Sequence, residues 1–217
     1  VPRLHSYLLG AVIPRPIAFV SSIDAEGNVN LSPFSFFNVF SSNPPIMVFS
    51  PSRRGRDKTH KHTYDNVKQT SEVVINIVDY AMVEQTSLAS GEFPRGVNEF
   101  VKAGFTEEPS TIVKPPRVKQ SPVAFECKVK QVIELGDGGS AGNLVLCEVL
   151  LMRVKDDVLD AQGRIDPVKL DAVARMGQEY YCRVIPESIF AVPRPGDKPG
   201  VGFDAIPTWV RENSTLS

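Results

Sequence analysis

The chain has 217 residues, in which 24 Lys and Arg nearly balance 25 Asp and Glu to give a formal net charge of -1. This balance argues against a strongly basic nucleic-acid-binding protein, and no apolar stretch approaches the roughly 20 residues of a membrane-spanning helix. A hydrophobic content of 42% argues against extensive disorder, so we expect one globular domain over residues 1–217, without nucleic acid or membrane as a partner.

Strand-like segments dominate the first half of the chain. Residues 17–23 run into a turn signal at 24–28 and the extended pattern resumes at 29–31, which predicts a β-hairpin. Two further strands are predicted at 46–49 and 73–78. Helices are expected within 58–70, at 82–89 and at 98–103, where Gly104 ends the last.

The second half contains the clearest alternation of apolar and polar residues, at 123–135. One face of this predicted strand carries Val123, Phe125, Cys127, Val129, Ile133 and Leu135, and the other carries Glu126, Lys128, Lys130 and Glu134. A Gly-rich loop at 136–143 connects it to a strand at 144–154, which predicts a long hairpin. Asp166 as N-cap, Pro167 in the first turn and Gly177 at the end predict a helix between them.

Many short strands, hairpin connections and occasional helices indicate an all-β, mainly antiparallel barrel with short helical insertions. Residues 193–207, rich in Pro and Gly, are expected to wrap over its surface. Three cysteines (Cys127, Cys147 and Cys182) without CxxC spacing indicate neither a disulfide framework nor a structural zinc site. We therefore expect a reducing, cytoplasmic setting.

Two familiar kinds of site are disfavoured. The Gly-rich loop does not complete the GxGxxG spacing and has strands on both sides, so we interpret it as a hairpin loop rather than a phosphate cradle. His60 and His62 would point to opposite sides of a strand and would not share a helix face, and no cysteine lies near them. No metal site is therefore expected.

The stretch 53–63 is the most asymmetrically charged part of the chain. Five cations, Arg53, Arg54, Arg56, Lys58 and Lys61, accompany the single acid Asp57. A strand end with hydroxyls precedes it and a predicted helix follows, and together these could bind a phosphate group. Composition alone favours a solvated basic loop. A nucleic-acid patch fits less well, because no aromatic residues interleave with the charges.

A second unusual stretch, residues 30–38, crowds three phenylalanines among small polar residues. Phe34, Phe36 and Phe37 alternate with Ser32, Ser35 and Asn38 just after a predicted strand. Core packing accounts for some of the phenylalanines. The same mixture would also suit a planar heteroaromatic ligand.

In their order along the chain, several segments resemble the flavin reductase-like family of FMN-binding split barrels, which includes flavoredoxins and flavin reductase components of two-component monooxygenases. The matching segments are PRPIAFVSSIDAEGNVNLSPFSFFNVFSSNPPIMVFSPS (14–52), KHTYDNV (61–67), NEFVKAGF (98–105), SPVAFECKV (121–129) and RIDPVKLDAVARMGQEYY (164–181). The resemblance implies an FMN-binding split β-barrel that forms a homodimer, with FMN near the interface.

The resemblance also implies which residues contact FMN. Those expected along the isoalloxazine are Ser35, Phe36, Phe37 and Asn38, and those expected at the phosphate are Ser50, Ser52, Arg53, Lys61 and Thr63, with Asn66 supporting the turn. His62 stands where the family usually has Asp, which leaves its role open. Arg175, Gly177 and Tyr180 match a family block near the partner's flavin.

The function implied is an NAD(P)H-dependent flavin reductase that transfers hydride from NADH or NADPH to FMN. Since the flavin brings its own redox chemistry, no catalytic acid or base is assigned. The alternative is a flavoredoxin-type electron carrier with tightly bound FMN and protein redox partners, and an oxygenase is a further possible partner. A third reading is a barrel that binds flavin for storage or sensing.

Overall fold

The structure, a computed structural model, describes residues 2–192. Its contacts divide the chain into two units, Val1–Val184 and Ile185–Ser217. The described part of the second unit contains one 3-10 turn, Pro186–Ser188. The tail expected to wrap over the surface, residues 193–207, lies outside the described residues. That the whole chain forms one domain stays a prediction.

The first unit is built mainly from strands. Its strands are β1 (Arg15–Pro16), β2 (Ala18–Ile23), β3 (Val29–Phe34), β4 (Phe37–Ser42), β5 (Pro45–Phe49), β6 (Glu72–Ile77), β7 (Glu107–Glu108), β8 (Arg117–Val118), β9 (Val123–Glu134), β10 (Asn143–Val154), β11 (Val173–Arg175) and β12 (Tyr181–Arg183). Its helices are α1 (Pro2–Ala11), α2 (His62–Thr70), α3 (Val83–Leu88), α4 (Glu99–Ala103) and α5 (Pro167–Leu170), with 3-10 turns at Tyr80–Met82 and Asp156–Val158.

Seven of these strands form one antiparallel sheet in the order β3-β2-β6-β9-β10-β5-β4. A three-stranded sheet, β1-β11-β12, and the pair β7-β8 complete the strand structure of the described residues. The predicted all-β, mainly antiparallel class with short helical insertions is therefore confirmed, as are the hairpin of β2 and β3 and the long hairpin of β9 and β10. None of the described helices is long and apolar enough to cross a membrane.

The two larger of three apolar clusters lie on opposite faces of the sheet at β2, because successive residues of a strand point to opposite faces. Phe19 belongs to a cluster that also contains residues of α4 and β11. Ala18 and Val20 belong to the other, which contains residues of β5, β9, β10 and α2. The start of α2 is thereby held against the end of β5, where the candidate site lies.

The alternation predicted along β9 is wrong beyond residue 130. Lys130 is an extra residue in the pairing with β10, since Val129 lies opposite Cys147 and Gln131 lies opposite Leu146. Such a bulge shifts the alternation by one residue. Val132 consequently packs against the core, whereas Ile133 is 37% exposed.

The helix predicted from Asp166 to Gly177 is shorter than expected. The Asp166 carboxylate accepts hydrogen bonds from the first-turn N–H groups as predicted, but the helix ends at Leu170. Residues Val173–Arg175 then form β11, which pairs with both β1 and β12. Pairing with these distant strands outweighs the local helix signals, and Gly177 serves the turn between β11 and β12.

Several elements were not predicted, namely α1, β4 and the short strands β1, β7, β8, β11 and β12. Strand β4 is one edge of the main sheet and, among the described strands of that sheet, pairs with β5 alone. Most of its residues are exposed, so it lacks the apolar alternation that identifies a half-buried strand.

Candidate functional site

The end of β5 meets the segment that follows β3. The Ser50 backbone N–H donates to the Phe36 carbonyl at 2.9 Å, which holds the two segments side by side. The Ser50 hydroxyl, itself buried, accepts a hydrogen bond from the backbone N–H of Asn143 at 3.0 Å. Phe36 and Ser50, both predicted from the sequence as site residues, are therefore neighbours.

The Gly-rich loop between β9 and β10 supports the basic stretch. The Arg53 N–H donates to the Ala141 carbonyl at 2.8 Å, and the Ser140 N–H donates to the Arg53 carbonyl at 3.2 Å. A Cβ atom on Gly139 would lie 2.9 Å from the carbonyl oxygen of Gly55. The interpretation of this loop as a hairpin connection is confirmed, and its glycines allow close packing against the basic stretch.

The N-terminus of α2 faces a small polar cavity. No side chain caps this helix, whose N-cap residue is Lys61. The Tyr64 N–H donates to the Lys61 carbonyl at 2.9 Å, whereas the N–H groups of His62 and Thr63 precede the first helical hydrogen bond. Lys61, His62 and Thr63 line the cavity together with Arg54 and the buried carboxylate of Glu99. An uncapped helix start next to two cations is well suited to an anion.

Cations and carboxylates lie together around this helix start, because Glu92 and Glu99 line the cavity and Arg54 lies 4.0 Å from Glu92. Burial, aided by the nearby Arg54 cation, lowers the pKa of Lys61 despite the opposing effect of Glu92. Burial and then the cations Arg54 and Arg95 lower the pKa of His62, with Asp65 opposing. Both shifts disfavour the charged forms of Lys61 and His62.

Five sequence-predicted residues line one open cleft next to this helix start: Ser35, Phe36, Ser50, Ser52 and Lys61. The cleft has a volume of about 200 Å³. Phe36 is 43% exposed, so its ring is available to a ligand. Lys61 also borders the helix-start cavity and therefore connects the two spaces.

The other predicted residues lie outside this cleft. Thr63 is buried and lines the helix-start cavity, where its hydroxyl accepts from Asn30 at 2.9 Å. Phe37 packs against the apolar core, and Asn38 is exposed on the edge strand β4. Asn66 is buried and donates to the Ser22 hydroxyl at 3.1 Å, which ties α2 to β2.

Arg53 is engaged within the protein. Its guanidinium lies 3.0 Å from a Glu134 carboxylate oxygen, and the Tyr64 hydroxyl donates to the same carboxylate at 2.6 Å. Burial, with this hydrogen bond to Glu134, raises the pKa of Tyr64 to about 12. The cations of the basic stretch nearest to the helix start are consequently Arg54 and Lys61 rather than Arg53.

Sequence reasoning named Arg54 only as one cation of the basic stretch and missed Arg15. Arg54 donates to the Thr59 hydroxyl and to the His60 carbonyl, which points its guanidinium toward the helix-start cavity. Arg15 is buried and lines the cleft together with Arg175, whose contacts the sequence did not assign. The only sequence signal for Arg15 was its position between two prolines, which carries no chemical meaning without the tertiary structure.

The residues present suit a ligand that combines an aromatic ring with a phosphate. Desolvated Lys61, Arg54 and the uncapped helix start provide charge and N–H groups for a phosphate. The adjoining cleft offers Phe36 and the hydroxyls of Ser35 and Ser50 to the rest of the ligand, including its ring. FMN has this combination of groups. Among residues 2–192, no group of three or more His, Cys, Asp or Glu side chains is placed to hold a metal ion.

Comparisons with known proteins agree with this assignment. The model of the family described as "Flavin reductase like domain" matches residues 9–169. An uncharacterised protein of Aquifex aeolicus is 40% identical over 184 residues, which cover 85% of this chain and 91% of that protein.

Two solved structures share the fold and 29% sequence identity with this chain. Nitrilotriacetate monooxygenase component B from Bacillus cereus has a TM-score of 0.79, covering 84% of this chain and 90% of its own. The Pseudomonas fluorescens 2-nitrobenzoate 2-nitroreductase NbaA has a TM-score of 0.77, covering 93% of this chain and 95% of its own.

Proposed function

The chain belongs to the flavin reductase-like family, and from this premise we propose that it is an FMN-binding oxidoreductase that reduces FMN with NADH or NADPH. The observation that carries the proposal is the convergence of two distant segments on one cleft. Ser35 and Phe36 from the end of β3 lie beside Ser50, Ser52 and Lys61, which lead to the start of α2.

In this proposal Lys61, with the neighbouring Arg54, binds the phosphate of FMN at the N-terminus of α2. Thr63 positions this helix start through its hydrogen bond with Asn30 rather than by lining the cleft. Ser50 and Ser52 contact the chain that leads from the phosphate, and Ser35 and Phe36 contact the ring. The remaining predicted residues support these contacts indirectly. Phe37 packs in the core and Asn38 lies on the edge strand, while Arg53 binds the Gly-rich loop and Asn66 ties α2 to β2.

The chain's own residues bind and orient the cofactor, and FMN when bound supplies the redox chemistry. Hydride transfer to a flavin needs no protein acid or base, and we assign none. Two of the similar solved structures come from redox proteins, a monooxygenase component and a nitroreductase, which supports an oxidoreductase.

A single anaerobic experiment tests the reductase proposal. The purified protein is loaded with FMN, freed of excess cofactor, and mixed with NADH or NADPH in the absence of oxygen. We expect the visible absorbance of oxidised flavin to bleach at a rate that depends on the donor concentration. FMN that binds but is not bleached by either donor would contradict the reductase and leave flavin binding intact.

The alternative is an electron carrier of flavoredoxin type, which would hold FMN tightly and exchange electrons with protein redox partners. Gel filtration of the loaded protein separates the two. Retention of FMN with negligible turnover of NADH and NADPH favours the carrier, whereas FMN that exchanges and turns over favours the reductase. Bound flavin that no chemical or enzymatic donor reduces would favour storage or sensing.

We also propose that the protein is a homodimer with FMN near its interface. Exposed apolar side chains on α1 support this, since Leu4, Tyr7 and Leu8 are each more than half exposed. Light scattering coupled to gel filtration gives the mass in solution. A monomer at all concentrations tested would contradict the dimer.

A cytoplasmic location is part of the same proposal. All three cysteines are free, and Cys127 and Cys147 are buried thiols whose pKa burial raises. A protein whose cysteines are free thiols does not need an oxidising compartment to form disulfides.

A further inference from the structure

A second cavity adjoins the proposed flavin cleft and shares Ser35 and Arg175 with it. It lies between α3, the end of β3 and the β11–β12 hairpin, and its polar lining comprises Ser35, Thr86, Ser87, Ser90, Arg175 and Tyr181. Its volume is about 230 Å³. This volume is similar to that of the cleft and is enough for a molecule with one ring or a short chain.

One polar side chain in this cavity lacks a partner. Thr86 is 3% exposed, and its hydroxyl forms no hydrogen bond with the part of the chain that the structure describes. Leaving a buried hydroxyl unpaired costs on the order of 1–3 kcal/mol. The hydroxyl oxygen is itself buried, so a ligand in the cavity hydrogen-bonds it only after the side chain rotates toward the cavity, and such a bond would remove this cost.

The charge at the junction of the cavity and the cleft is strongly positive. Arg15 and Arg175 lie opposite each other on the paired strands β1 and β11. Neither forms an ion pair with a described residue, and no Asp or Glu lines either the cavity or the cleft. Two neighbouring guanidinium groups without a carboxylate repel each other, and an anion placed between or beside them relieves that repulsion.

The surroundings of Arg15 and Arg175 agree with this electrostatic picture. Arg15 is 6% exposed, and it donates to the carbonyls of Leu9 and Val12, which hold it in place without neutralising its charge. Burial, together with the cation of Arg175, lowers the pKa of Arg15. Arg175 stacks over the Tyr181 ring at 4.6 Å from the ring centre, so its guanidinium plane is oriented.

We propose that this cavity is a binding site for the carboxylate of a small organic acid. Arg175 binds the carboxylate, and the hydroxyls of Thr86 and Ser87 donate to its oxygens. Ile17 and Pro33 provide apolar contact for the rest of the molecule. The site extends the proposed function, because a molecule bound here lies beside the flavin, but its occupation depends only on the chain's own residues.

Calorimetric titration of the protein with benzoate, and with the neutral benzamide as its matched probe, tests the proposal. The titration is carried out with and without saturating FMN. We expect benzoate to bind at least tenfold more tightly than benzamide, and to bind whether or not FMN is present.

Two variants connect this binding to the cavity. Arg175→Gln is expected to weaken benzoate binding at least tenfold, whereas Arg164→Gln, a control at an exposed arginine paired with Asp160, leaves it unchanged. Thr86→Val preserves the shape and removes the unpaired hydroxyl, so it is expected to keep or raise the melting temperature and to weaken benzoate binding several-fold. If Thr86 only supported the fold, Thr86→Val would not weaken benzoate binding while keeping or raising the melting temperature.

Three results would overturn the site: equal affinity for benzoate and benzamide, unchanged benzoate binding in both variants, or competition between benzoate and FMN. The last result would assign the cavity to the flavin itself. These results can be told apart from failure of the proposed function. That failure would appear as no FMN binding or no bleaching, whereas benzoate binding is also measured without FMN and depends on neither.

Discussion

The Asn30 amide donates a hydrogen bond of 2.9 Å to the Thr63 hydroxyl, and both side chains are buried. This bond joins the strand that leads to Ser35 and Phe36 with the first turn of α2. The two stretches that were singled out from sequence, one rich in serine and phenylalanine and one rich in cations, are connected through it. Their relative position is therefore held by a specific contact.

A double-mutant cycle measures this contact. Asn30→Ala and Thr63→Ala are each expected to lower the free energy of unfolding by about 1–3 kcal/mol, since each leaves a buried partner unpaired. Their combination should cost less than the sum, because the second substitution removes an interaction that is already lost. Urea unfolding of the four proteins gives the coupling. Strictly additive losses would show that the bond contributes nothing.

Lys61→Gln is expected to weaken FMN binding. A hydrogen bond to a charged group contributes roughly 1.5–3 kcal/mol, so its loss corresponds to an increase of about 10- to 150-fold in the dissociation constant. Lys68→Gln is the control, because Lys68 lies exposed in the last turn of the same helix. Fluorescence quenching of FMN measures both. An unchanged affinity in Lys61→Gln would place the phosphate elsewhere.

Adjacent glycines of the β9–β10 loop should respond very differently to alanine. A Cβ at Gly139 would lie 2.9 Å from the Gly55 carbonyl oxygen, whereas one at Gly138 meets nothing within 4 Å. Gly139→Ala must therefore displace the basic stretch, and we expect a loss of about 1–3 kcal/mol in stability together with weaker FMN binding. Thermal unfolding and FMN titration of both variants check this. Equal behaviour of the two variants would contradict the close packing.

Glu126 should make stability depend on pH in the acid range. Its side chain is fully buried and accepts from the backbone N–H groups of Thr111, Ile112 and Val113, with the shortest bond at 2.6 Å. Burial alone would raise the pKa of Glu126, but these hydrogen bonds outweigh it and hold the pKa below its usual value.

A carboxylate with a lowered pKa stabilises the folded state above its unfolded pKa, and this contribution is lost as the pH falls through the folded pKa. Glu126→Gln is therefore expected to cost about 1.5–3 kcal/mol at neutral pH. The difference from the unaltered protein should shrink below about pH 4. Glu148→Gln, which removes only a partly exposed ion pair with Lys130, should cost less than about 1 kcal/mol. Urea unfolding across pH tests both, and a difference that grows in acid would contradict the lowered pKa.

Local signals predicted most elements correctly, and the failures have identifiable causes. Asp166 caps a helix as expected, but strand pairing of Val173–Arg175 with β1 and β12 ends that helix early. The bulge at Lys130 depends on the register with β10, which alternation within one strand does not reveal. Glu126 was expected on a polar face, yet it is buried, because a loop 13–15 residues earlier in the chain covers it.

The two main hairpins, the antiparallel class and the unusual charge of residues 53–63 were evident from the sequence alone, since turn residues, alternation and charge act over short distances along the chain. The tertiary structure alone decided that Arg53 turns to Glu134 while Arg54 and Lys61 face the helix start. It also decided that Arg15 and Arg175, 160 residues apart in numbering, lie side by side. Charges that are remote in the chain acquire a common electrostatic role only when strand pairing brings them within a few ångströms of each other.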